Sequence, residues 1–272
     1  MIIADQEIHL WHVYDENIRH SGLLSQYFDI LSEEECIQQK RFYFEKDRHQ
    51  YLITRAMVRS VLSLYETSIA PQEWTFQKND FGKPLISNQS LIKPLNFNIS
   101  HTEQLIIMAI TSNRKIGVDV EYLPRLGKIL DIANRFFSPA EVRQLLALPP
   151  EKQKNRFFDL WTLKEAYIKA CGMGLSIPLN HFRYSFSRRG KISISFDPAR
   201  QDQPESWQFW QIHPNDTHKI SLAIKDEEKR NRYSISMREI IPLSDIREVN
   251  YPVGHGSLIA NNKSDSVEFK CQ

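Results

Sequence analysis

The sequence predicts an α+β protein built from two similar α/β halves. Three observations carry that expectation: a segment that recurs at a constant offset, strand patterns that follow a helical region in each half, and a composition without bias toward disorder. At 41% hydrophobic and 25% charged residues, 272 residues suffice for one large domain or two small ones. The longest apolar run, residues 105–110, falls far short of the ~20 residues that cross a bilayer.

The recurrence starts at a helix entrance. Ser32-Glu33-Glu34-Glu35 returns 106 residues later as Ser138-Pro139-Ala140-Glu141. Both are S-x-x-E capping boxes, the second with proline at the first helical position, so each opens a helix. At the same offset Glu45-Lys46 falls on Glu151-Lys152, and the helical segment 47–63 falls on 153–169. Leu160, Leu163, Tyr167 and Ala170 recur at the spacing of a helical core stripe.

Strand material follows each helix. In the first half, residues 73–77 precede an Asp80-Phe81-Gly82 turn, and 95–100 and 105–111 flank Thr102-Glu103 as a hairpin. The second half answers with 182–186, 191–196, 207–213 and 219–225. The halves are expected to span 1–112 and 113–243, dividing near 112–115. The polar residues 244–272, with Asn261-Asn262-Lys263-Ser264-Asp265, are expected to be a mobile tail.

Cys36, Cys171 and Cys271 are odd in number and far apart, which fits a reducing compartment and neither a disulfide framework nor a zinc site. Asp5 and Glu7 stand where a signal peptide would carry its apolar stretch, so a cytoplasmic protein is expected. A net charge of +2 does not imply nucleic-acid binding. The charge is nevertheless segregated: Lys40, Arg41, Lys46, Arg48, His49, Arg55 and Arg59 lie together, apart from carboxylates at 119, 121 and 165. That separation suits a polyanionic ligand bridged by a metal, as it also suits a solvated basic helix face.

Three constellations carry chemistry. Ile116-Gly117-Val118-Asp119-Val120-Glu121 alternates as a strand, so Asp119 and Glu121 share one face. Such hard oxygen pairs select magnesium or manganese over zinc, although a lone D-x-E is more simply a solvent-facing strand edge. Trp161, Glu165 and Lys169 lie along one helix face. Glu165 is then a third metal ligand or general base and Lys169 a phosphate contact, or the two form a surface pair worth ~0.3–0.5 kcal/mol. In Asn96-Phe97-Asn98-Ile99-Ser100-His101 a strand ends in a Ser-His pair able to meet phosphate oxygens. No nucleophile elbow accompanies it, so a Ser-His-Asp hydrolase fits poorly.

Taken with Phe81-Gly82-Lys83-Pro84, the order F-N-I-S-H, G-x-D-x-E, W-x-x-K-E-x-x-x-K resembles the 4′-phosphopantetheinyl transferase superfamily, in its two-halved, surfactin-synthetase-activating type, over about residues 1–240. The resemblance implies halves related by a pseudo-twofold axis with coenzyme A as co-substrate between them. It implies magnesium, for which manganese can substitute, on Asp119, Glu121 and Glu165. Lys169 would meet the α-phosphate side, Ser100 and His101 the phosphates, and the segment at Lys83 the adenosine portion. Arg41, Lys46 and Arg55 are candidates for the 3′-phosphate, since this chain has Glu35 and Gln38 where some relatives are basic.

The implied activity is that of a holo-[acyl-carrier-protein] synthase: transfer of the phosphopantetheine arm to a serine of an apo acyl or peptidyl carrier protein, serving fatty-acid, polyketide or nonribosomal-peptide synthesis. Glu165 and Lys169 would be catalytic. The chain is expected to act as a monomer, with no nucleic acid or membrane among its partners. The alternatives are a non-catalytic module binding coenzyme A or a carrier protein, which needs no third carboxylate, and a nucleotide phosphotransferase, which should show the absent G-x-x-x-x-G-K-[ST] loop.

Overall fold

A computed structural model describes residues 1–89, 91, 93–125, 127–228 and 232–257. Cys271 and the polar 261–265 lie outside these described residues. In chain order the elements are β1 (Glu7–Val13), α1 (Ser21–Asp29), α2 (Glu33–Arg41), α3 (Glu45–Tyr65), β2 (Phe76–Lys78), β3 (Pro84–Ile86), β4 (Leu95–Thr102) and β5 (Leu105–Ser112). There follow β6 (Ile116–Tyr122), α4 (Ile129–Phe136), α5 (Pro139–Leu146), α6 (Pro150–Cys171), β7 (Phe182–Phe186), β8 (Ile192–Phe196), β9 (Trp207–Asn215) and β10 (His218–Lys225). The chain continues with β11 (Ser234–Ile241), β12 (Asp245–Val249) and β13 (Val253–Gly256).

The order strand, three helices, small hairpin, two strands thus occurs twice. The pairing repeats as well: β5 is antiparallel to β1 and β4, and β10 is antiparallel to β6 and β9. Both expected capping boxes form, with Ser32 accepting from the Glu35 amide and Ser138 from the Glu141 amide. Their offset therefore marks a repeated fold.

Side-chain alternation explains how the halves join. Along β5, Ile106, Met108 and Ile110 pack on α1 and α3, while Ile107 and Ala109 face the other sheet. Ile8 and Leu10 of β1 meet Val118 and Val120 of β6 and Leu222 of β10 there. The two sheets thus lie face to face with helices outside. On β6 this leaves Asp119 on the opposite face from Val118 and Val120, toward α6. At the edge where β4 meets β6, side chains bridge the strands: Asn98 Oδ1 accepts from the Val118 amide at 2.8 Å and Ser100 Oγ from the Val120 amide at 3.3 Å.

Several boundaries differ from expectation. Residues 71–73 form a single 3-10 turn, and the strand begins only at Phe76. The β4–β5 turn falls on Glu103-Gln104, with Gln104 at φ 67°. The second segment returns to the first, since β11 lies parallel to β1 in one five-stranded sheet, order β12-β11-β1-β5-β4. Residues 245–256, expected in a mobile tail, instead supply β12 and β13. The polarity of β12 is that of a charged sheet edge, where Arg247 pairs with Glu239 at 2.6 Å and Arg238 with Glu248 at 3.3 Å. Among the described residues no helix is long and apolar enough to cross a membrane.

Candidate functional site

Gly117 decides how closely the two functional elements approach. A Cβ there would lie 1.9 Å from the Ala166 carbonyl oxygen and 2.4 Å from the Ala170 amide nitrogen. Only hydrogen at that position lets α6 rest directly on β6, an unusual use of glycine inside a strand. Helix α6 then places Glu165 and Lys169 over Asp119.

Asp119 is 4% exposed. Its Oδ1 accepts from Ser100 Oγ at 2.9 Å and from Lys169 Nζ at 2.6 Å. Lys169 Nζ also donates to Ser100 Oγ at 2.8 Å, so β4, β6 and α6 meet in one polar knot. Asp119 Oδ2 is buried with no hydrogen-bond partner. Glu121 Oε1 accepts from the Trp161 indole N–H at 3.0 Å, and the indole is stacked on Phe157.

Burial first, and then the Asp119 charge, push the carboxyls of Glu121 and Glu165 up to about 7. Each is thereby poised to exchange a proton near neutral pH. Three crowded carboxylates of this kind call for a cation. The Lys169 ammonium meets part of that demand, and the unpartnered Asp119 oxygen leaves capacity for more. Among the described residues no ready-made cage of three or more acidic, imidazole or thiol groups exists. The carboxylates of Asp119, Glu121 and Glu165 are oxygen donors of the type a hard divalent ion takes.

The knot adjoins a cleft of about 1000 Å³ lined by residues including Glu121, Tyr122, Arg125, His101, Thr102, Lys46, His49, Gln50 and Arg19. His101 lines this wall; desolvation of its ring, followed by the Lys169 charge, lowers its pKa.

The remaining expected contacts divide. Lys46 is exposed and lines the cleft, while Arg41 is exposed at the end of α2 away from its lining. Arg55 is committed elsewhere: its guanidinium pairs with Glu35, Nε donating at 2.6 Å, and lies over the Phe76 ring. The physical reason is the capping box, because Glu35 is nearly buried with its α2 amides and takes both Arg55 and Arg59 as counter-ions. Lys83 is likewise engaged, donating to the carbonyls of Lys169, Ile116 and Ala170.

Sequence reasoning set Trp161 on the helix face of Glu165 and Lys169, and Gly117 within the D-x-E strand, without a role for either. Glycine among β-branched residues was the available sign of a close approach. No local sequence signal announces that the Trp161 indole would reach Glu121.

Two family descriptions match successive parts of the chain: "4′-phosphopantetheinyl transferase superfamily" over residues 115–234, and "4′-phosphopantetheinyl transferase, N-terminal" over residues 19–113. Among curated proteins, the 4′-phosphopantetheinyl transferase HetI of Nostoc sp. is 30% identical over 82% of this chain and 90% of its own length. The 4′-phosphopantetheinyl transferase Sfp of Bacillus subtilis is 35% identical over 62% of this chain and 72% of its own. Among solved structures, the holo-[acyl-carrier-protein] synthase of Thermotoga maritima superposes with a TM-score of 0.34 at 21% identity, over 41% of this chain and 62% of that one.

Proposed function

Because the chain belongs to the 4′-phosphopantetheinyl transferase superfamily, we propose that it moves the phosphopantetheine arm of coenzyme A onto a serine of an apo carrier protein. The observation that carries the reading is the knot of Ser100, Asp119 and Lys169, with Glu121 and Glu165 beside it, where two halves meet at a cleft. The finer label, holo-[acyl-carrier-protein] synthase acting as a cytoplasmic monomer, belongs to the same proposal.

In the reaction the carrier serine Oγ bonds to the β-phosphorus of coenzyme A, and the bond from that phosphorus to the bridging oxygen breaks. Adenosine 3′,5′-bisphosphate leaves with the bridging oxygen. Asp119, Glu121 and Glu165 would hold a magnesium ion, which when bound supplies charge neutralisation at the pyrophosphate. Glu165 would accept the serine proton, directly or through a water. Lys169 stabilises charge gathering on the leaving phosphate, and Ser100 and His101 orient the phosphate oxygens. Of the three basic candidates, Lys46 lines the cleft, which supports it as the contact for a ligand phosphate.

Intact-mass analysis of apo acyl and peptidyl carrier proteins, incubated with the protein, coenzyme A and magnesium, tests the reading. A mass gain of one phosphopantetheine on at least one carrier is expected. No gain on any carrier across fatty-acid, polyketide and nonribosomal-peptide types would overturn it.

A further inference from the structure

Lys83 does work that the site description leaves unexplained. It sits at the tip of the β2–β3 hairpin, in the first half, and crosses to the second. Its Nζ donates to Lys169 O at 2.7 Å, Ile116 O at 3.2 Å and Ala170 O at 3.4 Å. Two of these carbonyls belong to the last turn of α6, where a cation is favoured, and that of Lys169 also accepts from the Gly172 amide at 3.2 Å. The third opens β6, one residue before Gly117.

The tip is built to deliver this contact. Asn79 Oδ1 accepts from the amides of Phe81 and Lys83, at 3.0 and 2.9 Å, while Asn79 Nδ2 donates to Gly172 O at 2.7 Å. Gly172 ends α6 in the left-handed region at φ 71°, and a Cβ on it would come within 3.1 Å of Lys83 Cδ and 3.3 Å of Asn79 Nδ2. The hairpin tip therefore closes over the helix end with no room to spare. Burial pulls the Lys83 ammonium down to about 8.

We propose that Lys83, supported by Asn79, is a positioning residue that fixes the end of α6 against β6 and so holds the Lys169 ammonium on Asp119 and Ser100. Lys169 is the residue whose own carbonyl Lys83 grips, so a slip of the helix end moves that ammonium directly. This assigns the Lys83 charge to geometry within the protein and not to a coenzyme A contact. The kinetic part of the idea rests on the transferase reading given above. The geometric part does not.

The geometric test uses the full-length, ligand-free protein. Lysines are labelled with a limiting amount of an amine-reactive ester, and labelling is read residue by residue by mass spectrometry in wild type, Lys83→Met and Lys83→Arg. Released from its partners, Lys169 should label several-fold faster in Lys83→Met, with lysines on α2 and α3 unchanged, and Lys83→Arg should restore most of the protection. Lys169 labelling equal to wild type in Lys83→Met would overturn the proposal, whether or not the protein transfers anything.

The kinetic test is a double-mutant cycle. Lys83→Met should lower kcat about tenfold, the scale on which small misplacements act. Its dissociation constant for coenzyme A should stay within about twofold, and in a Lys169→Ala background the same change should cost almost nothing further. A tenfold loss that persists in the Lys169→Ala background, or a coenzyme A constant that rises with the loss, would return Lys83 to general stability or to ligand contact.

Discussion

Helices α3 and α6 each answer the same device, the capping box of the helix before them, and do so from different faces. Each follows a capping box whose glutamate, Glu35 or Glu141, is buried and needs a counter-ion. In the first half Arg55 and Arg59 answer Glu35, and Arg59 also reaches the carbonyls of Pro71 and Trp74. In the second half Lys164 answers Glu141 at 3.0 Å, with further bonds to Leu179 O and Phe182 O and its ammonium 4.4 Å over the Phe182 ring. At the 106-residue offset, Arg55 and Arg59 correspond to Trp161 and Glu165. The face that α3 uses to secure the α2 cap is thus the face that α6 presents to Asp119 and Glu121. Moving the counter-ion by one position, from 59 to the counterpart of 58, frees that face for chemistry.

The sharpest way to test this division is to exchange charge for isosteres at the corresponding positions. Glu165→Gln should lower kcat by about 10²–10⁴-fold, the range of a lost general base, while thermal stability does not fall. Arg59→Met should do the reverse, costing about 3–5 kcal/mol of stability because Glu35 keeps only Arg55, with the residual folded protein still active. Denaturant titration and transfer assays on both variants decide it. A destabilised Glu165→Gln with normal turnover per folded molecule would erase the contrast.

Next in size is Gly117→Ala. The added Cβ would meet the backbone of Ala166 and Ala170, which cannot rotate away. Overpacking of this kind costs about 1–3 kcal/mol or more and should push α6 off β6. Activity should fall with stability, and wild-type values of both, measured by transfer assay and thermal melt, would mean that the helix does not rest where the structure sets it.

A smaller effect separates the halves by pH. On β1, burial lowers His9 and His12 to about 4. Unfolding lets them protonate near 6.5, so their contribution to stability is full above about pH 6.5 and is lost as pH falls toward 4. On β6 and α6, Glu121 and Glu165 are raised to about 7, so the folded state binds the extra protons and stability falls as pH rises from about 4.5 to 7. In EDTA, His12→Gln should flatten the acid side of the stability curve and Glu165→Gln the neutral side. Both changes flattening the same side, in denaturation midpoints taken from pH 4 to 8, would contradict the assignment.

Much of this was legible from the residues. Both capping boxes, the D-x-E strand and the W-x-x-K-E-x-x-x-K helix announce themselves through short-range spacing, which sterics and helical geometry enforce locally. What stayed hidden depends on partners distant in sequence. Arg55 looked like a free cation because nothing nearby showed that Glu35 would take it. Lys83 looked like a ligand contact because its carbonyl partners lie 33 to 87 residues away. The polar segment 245–249 read as a tail because a charged edge strand and a solvated coil share a composition.

The central claim is that the second copy of the repeat, through Asp119, Glu121 and Glu165, carries a divalent-ion centre that serves the transfer. Manganese binding followed by electron paramagnetic resonance, in wild type and Asp119→Ala with coenzyme A present, tests it most directly. The account predicts one ion bound per wild-type chain and a loss of at least tenfold in affinity in Asp119→Ala, with folding intact. Equal manganese affinity in the two proteins would contradict it.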